Sequence, residues 1–250
     1  VEEKPKSLEF EISQNALRHV IERTGIAMAQ QDVRYYLNGM LFEIRAGLLK
    51  AVATDGHRLA LCQAKADISG VELQQIIIPR KGVLELSRLL LEPEQNTRIV
   101  ISSNHIRAVT DSFTFTSKLV DGKFPDYEQV IPKGGTKELV AEREDLKQVL
   151  NRAAILSNEK YRGVRLIIQD SQLQVFANNP EQEEAEESMP INYTGERLEI
   201  GFNVSYMLDV LSVTESSEIK ITLSDANSSA VIEEVAEQND AVYVVMPMRL

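Results

Sequence analysis

Apolar residues recur at two spacings along this chain. In four stretches they fall three and four apart, the signature of a helix with one buried face. Leu17, Val20, Ile21 and Thr24 form the first such stripe, and Ser13 ahead of it is a good N-cap. Leu146, Val149, Leu150 and Ala153 repeat it. Val83, Leu86, Leu89 and Leu90 form a second kind of stripe, matched by Val204, Met207, Leu208 and Leu211. Pro93 stops the former soon after its end. Elsewhere the pattern is that of short strands: 8–12, 40–44, 48–53, 58–64, 72–78, 97–102, 105–109 and 113–118, then 166–168, 173–177, 198–202, 219–223, 230–233 and 241–246. Ala46-Gly47, Ser103-Asn104, Asp170-Ser171 and Asp225-Ala226-Asn227 supply turn chemistry between them. The expectation is an α+β fold whose helices pack on antiparallel sheets.

The pattern occurs twice. Leu48 to Gly56 lies over Gln172 to Pro180 at an offset of 124, which also carries Gly39 onto Gly163. Leu17 to Arg23 lies over Leu146 to Arg152 at 129. Arg98 to Ser102 lies over Lys220 to Ser224 at 122, and Ala108 over Ala230 at the same 122. A period this long means repeated domains rather than a solenoid. Two domains are expected, 1–132 and 133–250, joined through Ile131-Pro132-Lys133-Gly134-Gly135-Thr136.

Composition narrows the class. The chain of 250 residues is 43% hydrophobic and 26% charged, ordinary for a globular protein with cores of its own. Its one cysteine, Cys62, excludes a disulfide framework and suits a reducing compartment. No apolar run reaches the length of a membrane span. The charged opening Val1-Glu2-Glu3-Lys4 shows no signal peptide, and a cytoplasmic protein is expected. The first residue is not methionine, so a fragment or processed form is expected. Net charge is −11 but uneven: residues 1–132 carry 16 Lys and Arg against 17 Asp and Glu, residues 133–250 carry 11 against 21. Contact with nucleic acid would therefore need a local basic surface, more plausibly in the first half. The run Glu181-Gln182-Glu183-Glu184-Ala185-Glu186-Glu187 reads as a solvated face or strand edge.

Three segments carry candidate chemistry. Thr54-Asp55-Gly56-His57-Arg58 holds an acid, a base and a cation, which admits an enzyme with an acid–base or metal site at Asp55 and His57. The sequence offers little to complete such a site: H-E-x-x-H, a nucleophile elbow, a phosphate loop and G-x-G-x-x-G are all missing, which leaves one asymmetric active site as the alternative. The second copy reads Asn178-Asn179-Pro180 at this place, a variation that suits recognition better than catalysis. Gln30-Gln31-Asp32-Val33-Arg34-Tyr35-Tyr36 follows the first helix, where the second copy is five residues shorter. An inserted loop with Arg and two Tyr can meet phosphates and stack on bases, or its rings can pack on their own domain. The end of the chain, Tyr243 to Leu250, is apolar and holds two Met, the chemistry of an adaptable peptide groove, of a last strand, or of both, with strand to Val245 and groove wall after it.

Several motifs together resemble the bacterial beta sliding clamps, the processivity subunit of DNA polymerase III. They are Q-D-V-R-Y-Y-L-N-G (Gln31–Gly39), A-T-D-G-H-R-L-A (Ala53–Ala60), P-R-K-G-V (Pro79–Val83), K-L-V-D-G-K-F-P-D-Y (Lys118–Tyr127), A-I-L-S-N-E-K (Ala154–Lys160), N-N-P-E-Q-E-E-A-E-E (Asn178–Glu187) and V-V-M-P-M-R-L (Val244–Leu250). The resemblance implies three similar domains per chain and two chains closing head to tail around duplex DNA. This chain resembles the middle and last domains, so by itself it is expected to be monomeric, or to associate weakly through Ile155 and Leu156. It implies a peptide cleft for motifs of polymerases, the clamp loader and repair proteins. The middle-domain side would be Thr54, Gly56, His57, Arg58, Leu59, Pro125, Gln129 and Val130. The last-domain side would be Tyr206, Asn227, Ser229, Val244, Val245, Met246, Pro247, Met248, Arg249 and Leu250. Gln129 departs from the arginine many relatives carry, and Asn227 from an apolar residue in some. Gln31, Arg34, Tyr35, Tyr36, Arg80 and Lys81 would face DNA, without sequence preference and with strong salt dependence. No cofactor or metal is implied, and no enzyme. A plain oligomeric scaffold without nucleic acid is the third reading.

Overall fold

Ser13 ends a strand and starts a helix in one residue. Its extended backbone closes β1 (Leu8–Ser13), and its hydroxyl accepts the Ala16 amide at 3.1 Å to cap α1 (Gln14–Gly25). Leu17, Val20, Ile21 and Thr24 are buried as the stripe requires. The Thr24 hydroxyl donates back to the Val20 carbonyl at 2.7 Å and rests 3.4 Å from the Met40 sulfur, which seats the helix on the next strand. The structure, a computed structural model, describes residues 7–249. The charged opening from Val1 to Lys4 and the apolar Leu250 lie outside the described residues.

After α1 come β2 (Gly39–Arg45), β3 (Leu48–Thr54), β4 (Arg58–Lys65), β5 (Gln74–Pro79), α2 (Arg80–Leu89), β6 (Asn96–Ile101), β7 (His105–Val109) and β8 (Thr114–Lys118). β5, β2, β3 and β4 pair in that order, and β1, β6, β7 and β8 in that order, all antiparallel. A one-turn helix, α3 (Tyr127–Val130), follows. Then the pattern repeats: β9 (Lys137–Glu142), α4 (Arg143–Ile155), β10 (Gly163–Gln169), β11 (Gln172–Asn178), β12 (Glu184–Pro190), β13 (Leu198–Asn203), α5 (Val204–Val213), β14 (Glu218–Leu223), β15 (Ala230–Glu234) and β16 (Ala241–Val245). The sheets repeat as well, with orders β12-β11-β10-β13 and β16-β15-β14-β9. The chain divides into two compact units, one ending at Tyr127 and one beginning at Glu128. Among the described residues no helix is long and apolar enough to cross a membrane.

Offsets from the sequence hold for β2/β10 and β3/β11, and β5/β13 and α2/α5 share the same 124 at their first residues, which puts Val83 over Met207 rather than Val204. One offset does not hold. Ile101 pairs with Ile106 in the first copy, while Thr222 pairs with Val231 in the second. Ala230 therefore corresponds to Ile106, not Ala108. The second hairpin connection is two residues longer, and the shift of register hides it in the sequence. β9 was also not anticipated, and the Glu-rich run expected as a solvated face or strand edge forms β12, an edge strand in which only Met189 is buried. In the second helix stripes, Leu89 is 38% exposed and Leu208 half-buried, while Val210 takes the buried place. Cys62 is a buried core residue, as expected.

The segment after the last strand of each copy docks at the same place. The Val120 amide donates to the Ile77 carbonyl at 2.9 Å, and the Met248 amide donates to the Gly201 carbonyl at 2.8 Å. Ile77 and Gly201 are equivalent at 124. In the first unit this segment continues across the sheet to Tyr127, whose hydroxyl donates to the Glu43 carboxylate at 2.9 Å. Gln75 Nε2 at 2.8 Å and Arg45 Nη2 at 2.5 Å complete the shell of this buried carboxylate, and Lys50 Nζ lies 4.0 Å away. Burial pushes the Glu43 carboxyl up. The bonds from Gln75, Tyr127 and Arg45, with the Lys50 charge, outweigh it and hold the group below the usual range.

Candidate functional site

In the first unit the β3–β4 turn is built by its own side chains. Asp55 Oδ1 accepts the His57 amide at 2.9 Å and the Arg58 amide at 3.1 Å, and Oδ2 accepts Arg58 Nε at 3.2 Å. Thr54 Oγ1 donates to the Arg58 carbonyl at 2.6 Å and accepts the Gly56 amide at 3.2 Å. Gly56 has φ +89°, a left-handed conformation open to glycine. The equivalent of Asp55 in the second unit is Asn179, whose Oδ1 accepts the Glu181 and Glu183 amides at 3.1 and 3.0 Å. Both residues are turn caps that satisfy backbone N–H groups locally. A carboxylate in this position serves the backbone, and both oxygens of Asp55 are engaged within the turn.

His57 is exposed and Arg58 half-buried at the tip of this turn, while Thr54 and Leu59 are buried. Pro125, Gln129 and Val130 are exposed on the segment leading through α3. The inserted loop packs against the turn: a Cβ at Gly56 would stand 3.0 Å from Arg34 Nη2. Arg34 also forks onto Asp32, with Nε at 3.0 Å from Oδ1 and Nη2 at 2.9 Å from Oδ2. That guanidinium pulls the Asp32 carboxyl down to about 2, and Asp32 in turn raises Arg34. Tyr35 and Tyr36 meet edge to face at 5.8 Å, and Tyr35 is 56% exposed. Gln31 is exposed with φ +56°. Arg80 and Lys81 open α2, half-buried and exposed respectively. Among the expected DNA-facing residues, then, Arg34 already spends its fork on Asp32, and Lys81 and the Tyr35 ring are the more open groups.

In the second unit the expected tail residues separate into two groups. Val244 and Val245 end β16 as buried core. Met246, Pro247, Met248 and Arg249 follow it and line a depression of about 600 Å³ with Ala226 and Asn227 from the longer β14–β15 connection. Arg165, Glu199, Ile200 and Gly201 form its other side. Met246 is 46% exposed, an open apolar contact. Tyr206 and Ser229 are half-buried and do not line this depression. The sheet residues were missed by sequence reading. Their signal was available in the repeat: Arg165 stands where the first copy has buried Leu41, and Gly201 where it has Ile77.

Arg165 Nη1 donates to Glu199 Oε1 at 2.9 Å, and Arg197 Nη2 reaches Glu199 Oε2 at 3.2 Å. The two guanidinium groups hold the Glu199 carboxyl below its usual range. The Arg165 guanidinium also lies 4.9 Å from the centre of the Phe176 ring. Elsewhere in this unit, Ile155 ends α4 with 78% of its surface exposed, and Leu156 after it is half-buried.

Comparison with known proteins gives one consistent family. The profile of the DNA polymerase III beta subunit, central domain, matches residues 11–126, and that of the C-terminal domain matches residues 128–249. The beta sliding clamp of Pseudomonas aeruginosa is 59% identical over 250 residues, all of this chain and 68% of that relative. The beta sliding clamp of Escherichia coli K12 is 54% identical over 243 residues, 97% of this chain and 66% of the relative. A crystal structure of the DNA polymerase III subunit beta from P. aeruginosa matches with a TM-score of 0.96 at 59% identity, covering 100% of this chain and 69% of that one. A sliding clamp from Bartonella birtlesii, crystallised with griselimycin, matches with a TM-score of 0.92 at 39% identity, covering 100% of this chain and 68% of that one.

Proposed function

This chain belongs to the DNA polymerase III beta subunit family, the beta sliding clamps, and from that premise we propose that it is a non-catalytic, cytoplasmic scaffold of DNA replication that holds partner peptides and touches duplex DNA. The observation that carries the reading is the depression behind the tail. Met246, Pro247 and Met248 offer an apolar surface beside Asn227, Arg249 and Arg165. Burying partner side chains on such a surface stabilises binding by about 25 cal/mol per Å². Flexible Met side chains let one pocket accept several sequences, which suits short segments of polymerases, the clamp loader and repair proteins. The Thr54–Arg58 turn of the first unit, with Leu59, Pro125, Gln129 and Val130, is the second surface assigned to peptides. Tyr206, Ser229, Val244, Val245 and Leu250 complete the assignment on the side of the tail.

DNA contact falls to Gln31, Arg34, Tyr35, Tyr36, Arg80 and Lys81. It is weak, directed to phosphates and weakened by salt. A binding constant independent of salt would contradict this. Ile155 and Leu156 are the contact through which two chains associate in the head-to-tail ring of the family. The present chain is a monomer at micromolar concentration, and light scattering showing a stable dimer would contradict that.

The peptide assignment is tested by titrating a fluorescent peptide, taken from the clamp-binding segment of a polymerase partner, into the chain. Met246→Ala and Met248→Ala each weaken binding about tenfold, the expected loss of a buried Met contact. Griselimycin displaces the peptide. Affinity unchanged in both variants removes the assignment.

A further inference from the structure

One face of the β12-β11-β10-β13 sheet is open where its counterpart in the first unit is filled. A single cross-strand row shows the difference. In the first unit the row runs Leu61, Val52, Leu41, Ile77, and all four are buried. The segment after β8 crosses this sheet, anchored by Val120 on Ile77 and by Tyr127 on Glu43. Equivalent positions in the second unit are Glu186, Phe176, Arg165 and Gly201. Met248 bridges to Gly201 as Val120 does to Ile77. Beyond that bridge the depression at the tail is continued by a second, of about 500 Å³, over Arg165, Phe176, Glu184, Glu186 and Glu199. Arg165 and Glu199 line both.

We propose that this open face extends the peptide site: a partner segment leaves the tail pocket, runs across the sheet as residues 120–127 do in the first unit, and places a carboxylate on Arg165. The inference rests on the peptide reading of the tail pocket. The first unit supplies the kind of occupant, an extended chain anchored by a backbone hydrogen bond at one end and a side-chain hydrogen bond at the other. Charge selects the residue it carries. Arg165 and Arg249 line the depression at the tail with Glu199 as the one carboxylate in its lining, and Arg197 adds a second guanidinium on Glu199, in a half of the chain whose net charge is −10. Arg165 is also preorganised. Phe176 stacks one side of its guanidinium, and a single hydrogen bond to Glu199 uses one of its five N–H donors. The remaining fork matches a carboxylate in geometry, and little side-chain entropy is lost in meeting it. Glu184 and Glu186 at the far edge repel an acidic residue there, which fixes the carboxylate next to the tail.

The test uses the polymerase-derived peptide with Asp, then Asn, at each position in turn. At one position beside the apolar anchor, the Asp form binds the wild-type chain about tenfold tighter than the Asn form, the size of one charge-assisted hydrogen bond at a partly exposed site. Arg165→Gln abolishes that ratio, bringing the Asp form down to the level of the Asn form. A thermal unfolding curve that matches the parent's shows that the variant is folded. Asp and Asn forms that bind alike at every position, or a ratio that survives in Arg165→Gln, overturns the proposal while the tail pocket stands. If Met246→Ala and Met248→Ala do not weaken any form, the peptide reading itself fails.

Discussion

Asp55 and Asn179 occupy the same place in the two copies and do the same work. Each oxygen gathers two backbone amides of a turn between paired strands. Around them the copies diverge. The first turn needs Gly56 in a left-handed conformation, packed on Arg34, while the second has Pro180 there and strains Gln182 to φ +66° instead. One presents His57 and Arg58, the other Glu181 and Glu183. A device found in both copies belongs to the scaffold; what differs around it is available for recognition. The same contrast holds deeper in the sheets, where Glu43 in its polar shell corresponds to the plainly apolar Ile167.

Exchanging residues between the copies breaks this comparison most severely at Gly56. Gly56→Pro installs the second copy's residue, removes the amide bonded to Thr54 and forbids the positive φ. Destabilisation of about 3 kcal/mol is expected in chemical denaturation. A variant as stable as the parent would mean the turn is freely rebuilt.

Glu43→Ile is the next largest. It leaves the Tyr127 hydroxyl and the Lys50 ammonium facing an apolar side chain, at a cost of about 2 kcal/mol. It also changes the acid limb. The folded Glu43 carboxyl lies below its ordinary value, so its contribution is full above the unfolded pKa of about 4.3 and fades as pH falls through the folded one. The parent therefore loses stability on acidification more steeply than the variant. Parallel profiles of stability against pH would show that Glu43 is not the linked group.

Smallest is the pair of caps. Asp55→Ala and Asn179→Ala each cost about 1–2 kcal/mol, and Asp55→Asn costs less than about 1 kcal/mol, because an amide oxygen serves the second turn already. A much larger loss at Asp55 than at Asn179 would sink the equivalence of the two turns.

The repeat was legible in the sequence because helix stripes and strand alternation are local consequences of burying one face, and both copies bury the same faces. Leu17, Val20 and Ile21 could be assigned to a core without knowing what they touch. β12 was legible only as a solvated face or strand edge without bounds, since an edge strand with a polar surface carries little apolar alternation. The true partner of Ala230 was not legible, because two extra residues in a turn shift register without changing the pattern on either side.

The sequence by itself determined the two-copy plan, the family and the segments that differ between copies. Period and composition encode these along the chain. Tertiary structure alone decided that Glu43 sits in a shell drawn from Gln75 and Tyr127, and that the face of Arg165 is open while the face of Leu41 is covered by the segment anchored at Val120 and Tyr127. Each depends on which strand lies beside which and on what crosses the sheet above it. Those are relations between distant residues, and no local pattern records them.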